Sequence, residues 1–237
     1  MSAIYRLTLR QLSGRWRLGI LAVLSALPVL ITAMVLSFDR APSVVEFEEG
    51  VLSGMFAGAI VPLVVLALAA VAFANEVEDR TLANLVLTPL PRWKIALPKL
   101  LATLSVAGPF VLASGLLTGY IAYVGDLRST LALTAGLVTC LVLYASVFTW
   151  MGLVTTQAIG IGLLYILVWE GLFAGFVSGV RLLSLRYTAL AVVHGIDPRR
   201  FPASELPSLW ITLTLVGLIV AGFSWLTLRR LRTMDVP

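Results

Sequence analysis

Charge is scarce in this sequence. Only 12% of the 237 residues are charged, whereas 59% are hydrophobic, and the mean hydropathy is +1.00. Because a soluble domain carries roughly 25% charged residues, the composition excludes an ordinary soluble domain. Apolar runs of about 20 residues recur instead, which is the length that an α-helix needs to cross a bilayer core of about 30 Å. The sequence therefore predicts a polytopic membrane protein.

Residues that carry catalytic or metal chemistry are also rare. The single cysteine, Cys140, excludes a disulfide within the chain, and the single histidine, His194, has no close His or Cys partner for a metal site. The only lysines are Lys94 and Lys99, and no G-x-x-x-x-G-K-[ST] phosphate loop is present. We therefore expect no catalytic, metal-binding or cofactor-binding residues, and an ordinary loop position for His194. Without a Lys/Arg cluster on a soluble face, we expect no nucleic-acid partner.

Six apolar runs predict an all-α polytopic fold with six transmembrane helices in a single domain, residues 1–237. The runs are continuously apolar, which excludes a membrane β-barrel, whose strands alternate apolar and polar residues. The predicted spans are residues 18–38, 51–74, 100–124, 131–154, 159–180 and 209–228.

Basic residues before the first span set the expected orientation. Residues 1–17 predict an amphipathic interfacial helix, because four apolar side chains fall on one face of a helix and arginines fall on the opposite face. The apolar stripe is formed by Tyr5, Leu9, Leu12 and Trp16. A basic leader that only sets the topology is the alternative, and both can hold. Eleven Lys and Arg residues fall on the side of the N-terminus and six on the other, although four Arg within residues 181–207 oppose the trend. Since positively charged loops stay in the cytoplasm, we expect both termini there.

The longest charge-rich interruption of the apolar sequence lies at residues 75–99, between the second and third predicted spans. Thr81 suits the N-cap of a short helix. Pro89 disfavours helical geometry at Thr88 and ends that helix after about two turns. An apolar patch at i, i+3, i+4 spacing is formed by Leu82, Leu85 and Val86. The segment predicts a short cytoplasmic helix that docks into another protein, with a solvated loop as the alternative.

This segment resembles the coupling region of permease subunits of ABC-2-type ABC exporters. The residues that carry the resemblance are Glu76-x-Glu78-Asp79-Arg80-Thr81-Leu82, Leu85, Thr88-Pro89, Pro91-Arg92 and Lys99. A second similarity, to the fifth span and re-entrant region of such permeases, lies in Leu167-Val168-Trp169-Glu170-Gly171-Leu172 and Gly179-x-Arg181-x-Leu183-Ser184. The resemblance implies a coupling helix that contacts an ATP-binding subunit. The implied contact residues are Glu76, Glu78, Asp79, Arg80, Thr81, Leu82, Leu85, Val86, Thr88 and Pro89.

The same resemblance implies an assembly. Two copies of the chain would form the substrate pathway in the cytoplasmic (inner) membrane, in contact with lipid. Two copies of a separate ATP-binding cassette subunit would bind ATP and Mg²⁺, so the chain itself would be no enzyme. A non-transporting membrane scaffold and a permease for metalloenzyme maturation stay open as alternatives. A membrane-embedded enzyme is a further alternative, but Glu170 with one distant histidine lacks the paired groups that such enzymes need.

Glu170 lies near the middle of the fifth predicted span, about 17 Å deep. An acid there costs about 2.5–3.5 kcal/mol on insertion scales, so it needs a partner or a wet cavity. We expect it either to line the substrate pathway or to satisfy a helix break. Gly171, Gly175 and Gly179 repeat at helical spacing, which favours close helix packing or such a break. Residues 181–207 then predict a surface-lying or re-entrant external helix and a Pro-rich return.

Overall fold

The computed structural model describes residues 2–37, 44–78, 91–174, 181, 183–201 and 206–233. Regular elements in these residues are all helices, and no strand occurs among them, which confirms the all-α class. In chain order they are α1 (Ser2–Leu12), α2 (Arg15–Leu36), α3 (Val44–Phe47), π1 (Glu48–Ile60), α4 (Val61–Ala69), α5 (Val71–Glu78), α6 (Trp93–Ala122), α7 (Leu127–Val154), α8 (Ala158–Leu164), π2 (Tyr165–Phe173), α9 (Leu185–Ile196) and α10 (Leu209–Thr233). The π-helices π1 and π2 have wider turns, with i→i+5 hydrogen bonds.

Five helical stretches are long and apolar enough to cross a membrane. They are Arg15–Leu36, Glu48–Ala74, Trp93–Ala122, Leu127–Val154 and Leu209–Thr233. They match the first, second, third, fourth and sixth predicted spans, and the first four begin a few residues earlier than expected. Polar and aromatic side chains at a helix end can reach the membrane–water interface while their backbone stays helical. Hydropathy alone therefore places the first residue of such a helix too late in the sequence.

The fifth predicted span, residues 159–180, is represented in the structure by a shorter helix. α8 and π2 together run over Ala158–Phe173, and this stretch is too short to be counted with the five long helices. Residues 175–180 lie outside the described part of the chain. Six full-length spans are therefore not found in the described residues.

The two ends of the helix bundle differ in their contents. We call one the basal end; its small apolar cluster comprises Phe73, Ile95, Leu153 and Leu231, with Ile4 packed against it. The other is the distal end, where the ring of Tyr123 makes edge-to-face contacts with Phe47 and Phe201. α6 therefore runs from the basal to the distal end, whereas the stretch Glu48–Ala74, α7 and α10 run in the opposite direction, and α1 and the end of α10 meet at the basal end.

The N-terminal helix α1 lies against α6 at the basal end. The hydroxyl of Tyr5 donates to Ser105 Oγ at 2.9 Å, and Leu12 is almost completely buried. Tyr5, Leu9 and Leu12 of the predicted stripe pack on the core, but Trp16 is 88% exposed. The stripe stops because α1 ends at Leu12 and the chain starts a new helix at Arg15, which resets the helical phase.

The helix α9 occupies the distal half of the bundle beside α7. The carbonyl of Ile196, the last residue of α9, accepts a hydrogen bond from Arg128 Nη2 at the start of α7, at 2.9 Å. About one helical turn further from the distal end, Val193 packs against Gly136 of α7. Most of its side chains are buried, including Leu185 at its start. Because α9 runs antiparallel to α7 and starts deep in the bundle, the first half of residues 181–207 is a packed helix and not a loose loop.

Candidate functional site

The predicted coupling segment is described at its first residues only. Glu76 and Glu78 lie at the end of α5. The remaining expected contact residues lie outside the described part of the chain: Asp79, Arg80, Thr81, Leu82, Leu85, Val86, Thr88 and Pro89. The structure thus shows how the two helices on either side of the segment are held.

Glu76 and Lys99 join these two helices. Lys99 Nζ donates to Glu76 Oε1 at 2.6 Å and also to the carbonyl of Ala72, and it lies 4.6 Å from the ring centre of Phe73. Lys99 is completely buried and Glu76 is 8% exposed. Glu76 was expected to face an ATP-binding subunit, but its carboxylate is turned inward to Lys99.

This ion pair makes α5 and the start of α6 one mechanical unit. An ammonium without water needs several acceptors, and here it has a carboxylate, a carbonyl and an aromatic face. Removing either partner would leave a charge in an apolar site, so the two helix ends separate only at a high cost in free energy. Residues 79–90 are therefore bracketed by two helix ends that a buried ion pair joins.

Glu170 forms the second polar centre. Its side chain in π2 is fully buried. Oε1 accepts from the Tyr165 hydroxyl at 2.9 Å and from the Leu185 amide at 2.9 Å, and Oε2 accepts from the Ser184 hydroxyl. Ser184 is also the N-cap of α9, where its Oγ accepts from the Tyr187 amide. The carboxylate therefore binds the N-terminus of α9, where helix dipoles favour negative charge.

This centre lies near the middle of the bundle. Cys140 is the fourteenth of the 28 residues of α7, and Glu170 and Arg186 are both within electrostatic reach of it. Eleven residues separate Cys140 from Ser129, which bonds to Asp197 at the distal end, so the depth is about 17 Å. Gly58 leaves room for the Arg186 guanidinium, since a Cβ there would be 3.2 Å from Nη1.

The Glu170 carboxylate is held by hydrogen bonds within the chain, and its two expected roles, in the substrate pathway and at a helix break, stay predictions. Its two oxygens accept from three donors. One donor, Tyr165, belongs to π2, and the other two, Ser184 and Leu185, lie at the start of α9. Gly171, expected to pack helices together, is exposed, and a Cβ on it would meet only the Ile166 carbonyl of its own helix among the described residues. Gly175 and Gly179 lie outside the described residues.

His194 forms a third polar centre that the sequence reading missed. It lies in α9 and not in a loop, with Nε2 2.6 Å from Glu48 Oε1 and Nδ1 2.5 Å from the Phe201 carbonyl. Burial lowers the pKa of His194, but the Glu48 hydrogen bond, the Phe201 carbonyl and the Glu48 charge together raise this pKa above its usual value. Glu48 is far from His194 in the sequence, so no local motif predicts the contact between them.

Asp126 organises the loop before α7 at the same end. Its carboxylate accepts from the Arg128 amide at 3.1 Å and from the Ser129 hydroxyl at 2.8 Å, as expected for an N-cap. The Ser129 hydrogen bond is the main cause that lowers the pKa of Asp126. Within the described ranges, no group of three or more His, Cys, Asp and Glu side chains is placed to hold a metal ion.

No protein-family model matches the sequence, and no curated protein matches it. The function of the chain is therefore inferred from its residue pattern and from the geometry of its helices.

Proposed function

We propose that the chain is the membrane-spanning permease subunit of an ATP-driven exporter of the ABC-2 type. Two copies form the substrate pathway, and a separate ATP-binding subunit docks on residues 79–90. The observation that carries this proposal is the buried Glu76–Lys99 ion pair, which ties together the two helices that bracket the docking segment. A solvated connecting loop would not need such a costly link at its base.

The ion pair supplies a route for mechanical coupling. When the ATP-binding subunits close, they displace the docking segment, and a loose pair of helices would absorb that displacement at the loop. Because Glu76 and Lys99 hold α5 to α6, the two helices tilt as one body. α1 packs on α6 through Tyr5 and Ser105, so it moves with them. The displacement thus reaches the substrate pathway as a rigid-body rotation.

The charge of the basal end supports a cytoplasmic location for the docking segment. The Lys and Arg residues that α1, α2, α6 and α10 place there are Arg6, Arg10, Arg15, Arg17, Lys94, Lys99, Arg229, Arg230 and Arg232. Positive charge flanking spans marks the cytoplasmic side. We therefore place the basal end in the cytoplasm, where ATP is available to the partner subunit.

Docking is tested with the variant L85D/V86D. It adds two charges to the predicted apolar patch and should lose the ATP-binding subunit on affinity purification from native membranes in mild detergent. L127D is the matched control, because Leu127 is 68% exposed at the distal end. It should retain a partner that carries an ATP-binding phosphate loop. Co-purification and ATP turnover at the parental rate in L85D/V86D would refute docking at this segment.

Transport needs a separate measurement. Vesicles that contain the chain and its ATP-binding partner should accumulate or release cargo only when ATP is present. If the complex forms and hydrolyses ATP without moving any membrane-extractable compound, the non-transporting scaffold is the better description.

A further inference from the structure

A cavity of about 160 Å³ lies between α6, α7 and α10 in the basal half of the bundle. Trp93 and Leu97 of α6 and Leu228 of α10 form apolar walls, and α7 contributes Ser146 and Thr149. The volume is close to that of a cavity of about 150 Å³ known to hold benzene. It is therefore large enough for a segment of about six carbon atoms.

The polar side chains that line the cavity offer little accessible polar surface. The hydroxyls of Ser146 and Thr227 donate to carbonyls one turn earlier in their own helices. Thr149 is only 3% exposed, and its hydroxyl oxygen is shielded from the cavity space. Because the remaining walls are mainly apolar, the cavity suits an apolar ligand.

The basal edge of the cavity is positively charged. Lys94 follows Trp93 and holds its ammonium 5.7 Å from the Trp93 ring centre. Arg232 lies one helical turn beyond Leu228 on α10 and is exposed. Glu76 does not neutralise this positive charge, because its carboxylate is paired with Lys99. A ligand with an anionic head and an apolar tail would match this arrangement.

We propose that this cavity binds an acyl chain of an anionic membrane phospholipid. The tail lies against Leu97, Leu100 and Leu228, and the phosphate lies near Lys94 and Arg232, at the level of Trp93. The wall residues Trp93 and Leu97 are 46% and 40% exposed, so a tail can enter sideways from the bilayer. Tryptophan is enriched at the headgroup level of membranes, and basic residues beside it attract anionic lipids. This inference does not depend on the proposed export function.

Photolabelling in bilayers tests the site. Full-length protein in nanodiscs of phosphatidylcholine receives a small fraction of phosphatidylglycerol that carries a diazirine in its acyl chain. After irradiation, mass spectrometry should find the label concentrated on the first half of α6 and the last half of α10. A phosphatidylcholine probe should label these peptides at least about fivefold less, since each cation near the surface is worth roughly that preference for an anionic lipid.

Two variants sharpen the test. A96F fills the cavity, which Ala96 lines, and should remove the labelling, whereas A113F places the same side chain on an exposed position of α6 outside the cavity and should leave it unchanged. K94Q/R232Q should reduce phosphatidylglycerol labelling to the phosphatidylcholine level. This variant provides the test if A96F does not fold. Equal labelling by both probes, labelling spread along all exposed helices, or labelling that survives A96F would overturn the proposal.

Discussion

Lys99 Nζ on α6 lies 2.6 Å from Glu76 Oε1 on α5, and the Lys99 side chain is completely buried. This ion pair joins the end of α5 to the first part of α6, the two helices on either side of residues 79–90. Its ammonium also meets the Ala72 carbonyl and the Phe73 ring, so three groups of the folded chain contact the cation. Stability and coupling should both depend on this contact.

K99M should destabilise the protein more than E76Q/K99M does. K99M leaves the Glu76 carboxylate without its cation in an apolar site, which costs about 3 kcal/mol for a buried pair. The double variant removes both charges and should regain most of that loss. Thermal unfolding in lipid nanodiscs measures the difference, and equal losses in the two variants would show that the charges do not interact.

Coupling should fail in the stable double variant. If the pair transmits displacement from the docking segment, E76Q/K99M should still bind the ATP-binding subunit and hydrolyse ATP, but move less cargo per ATP than the parental complex. A transport assay with parallel ATP measurement gives this ratio. An unchanged ratio would leave the ion pair with a role in stability alone.

E170Q should weaken the junction of π2 and α9. The amide oxygen can still accept, but the amide nitrogen cannot accept from the Ser184 hydroxyl, which loses its buried acceptor. The expected cost is about 1–3 kcal/mol in unfolding free energy. S184A removes the same bond together with the N-cap of α9, and the lost cap should add about 1 kcal/mol to the cost.

A double-mutant cycle separates this structural role from a role in the pathway. If Glu170 acts as a cap for α9, E170Q/S184A should cost less than the sum of the two single variants, because both remove one shared bond. Additive losses would argue against the cap. Should E170Q leave transport and subunit assembly intact, neither expected role of Glu170 would stand.

Stability should fall as the pH rises above about 6.5, the usual pKa of histidine. Both ring nitrogens of His194 face acceptors, Glu48 Oε1 and the Phe201 carbonyl, which suits the doubly protonated ring. The raised pKa means that the folded state keeps a proton that the unfolded state releases. The stabilisation is complete below pH 6.5 and is lost as the pH rises through the folded-state pKa.

Melting temperatures of the parental protein and H194Q between pH 5.5 and 9 measure this effect. The parental curve should decline over the alkaline part of the range, and the H194Q curve should be flatter. Asp126 does not interfere, because its lowered pKa affects stability only as the pH falls below about 3.8. Parallel curves for the two proteins would exclude His194 as the titrating group.

The sequence was sufficient for the helical class and for the position of five long helices. Apolar runs of membrane length are a strong local signal, so spans such as Leu209–Thr233 were predicted from their first residue. The π winding of Glu48–Ile60 was not predicted, because apolar periodicity and length do not distinguish a π-helix from an α-helix in this run.

Polar contacts between distant residues were harder to predict. Glu170 was expected to need a partner, yet nothing in the sequence identifies the Leu185 amide and Ser184 as its donors. The resemblance to ABC-2 permeases implies that Glu76 contacts an ATP-binding subunit, whereas in the structure its carboxylate is paired with Lys99. Pairings of this kind are set by the distance between helix axes, which single-sequence patterns do not contain.

At Gly152, α7 passes close to Ala70, which lies between α4 and α5. A Cβ added at Gly152 would collide with the backbone carbonyl of Ala70, which cannot rotate away as a side chain could. G152A should therefore cost about 1–3 kcal/mol, the usual range for overpacking a well-packed core.

G160A is the matched control for this prediction. Gly160 lies in α8, and a Cβ there would meet no atom within 4 Å among the described residues. Alanine is the better helix former by up to about 1 kcal/mol, so G160A should be neutral or stabilising. Thermal unfolding of both variants in the same nanodiscs measures the contrast. If G152A were as stable as G160A, the backbones at Gly152 and Ala70 could not be as close as the structure shows, and the junction that positions Glu76 would need a different register against α7.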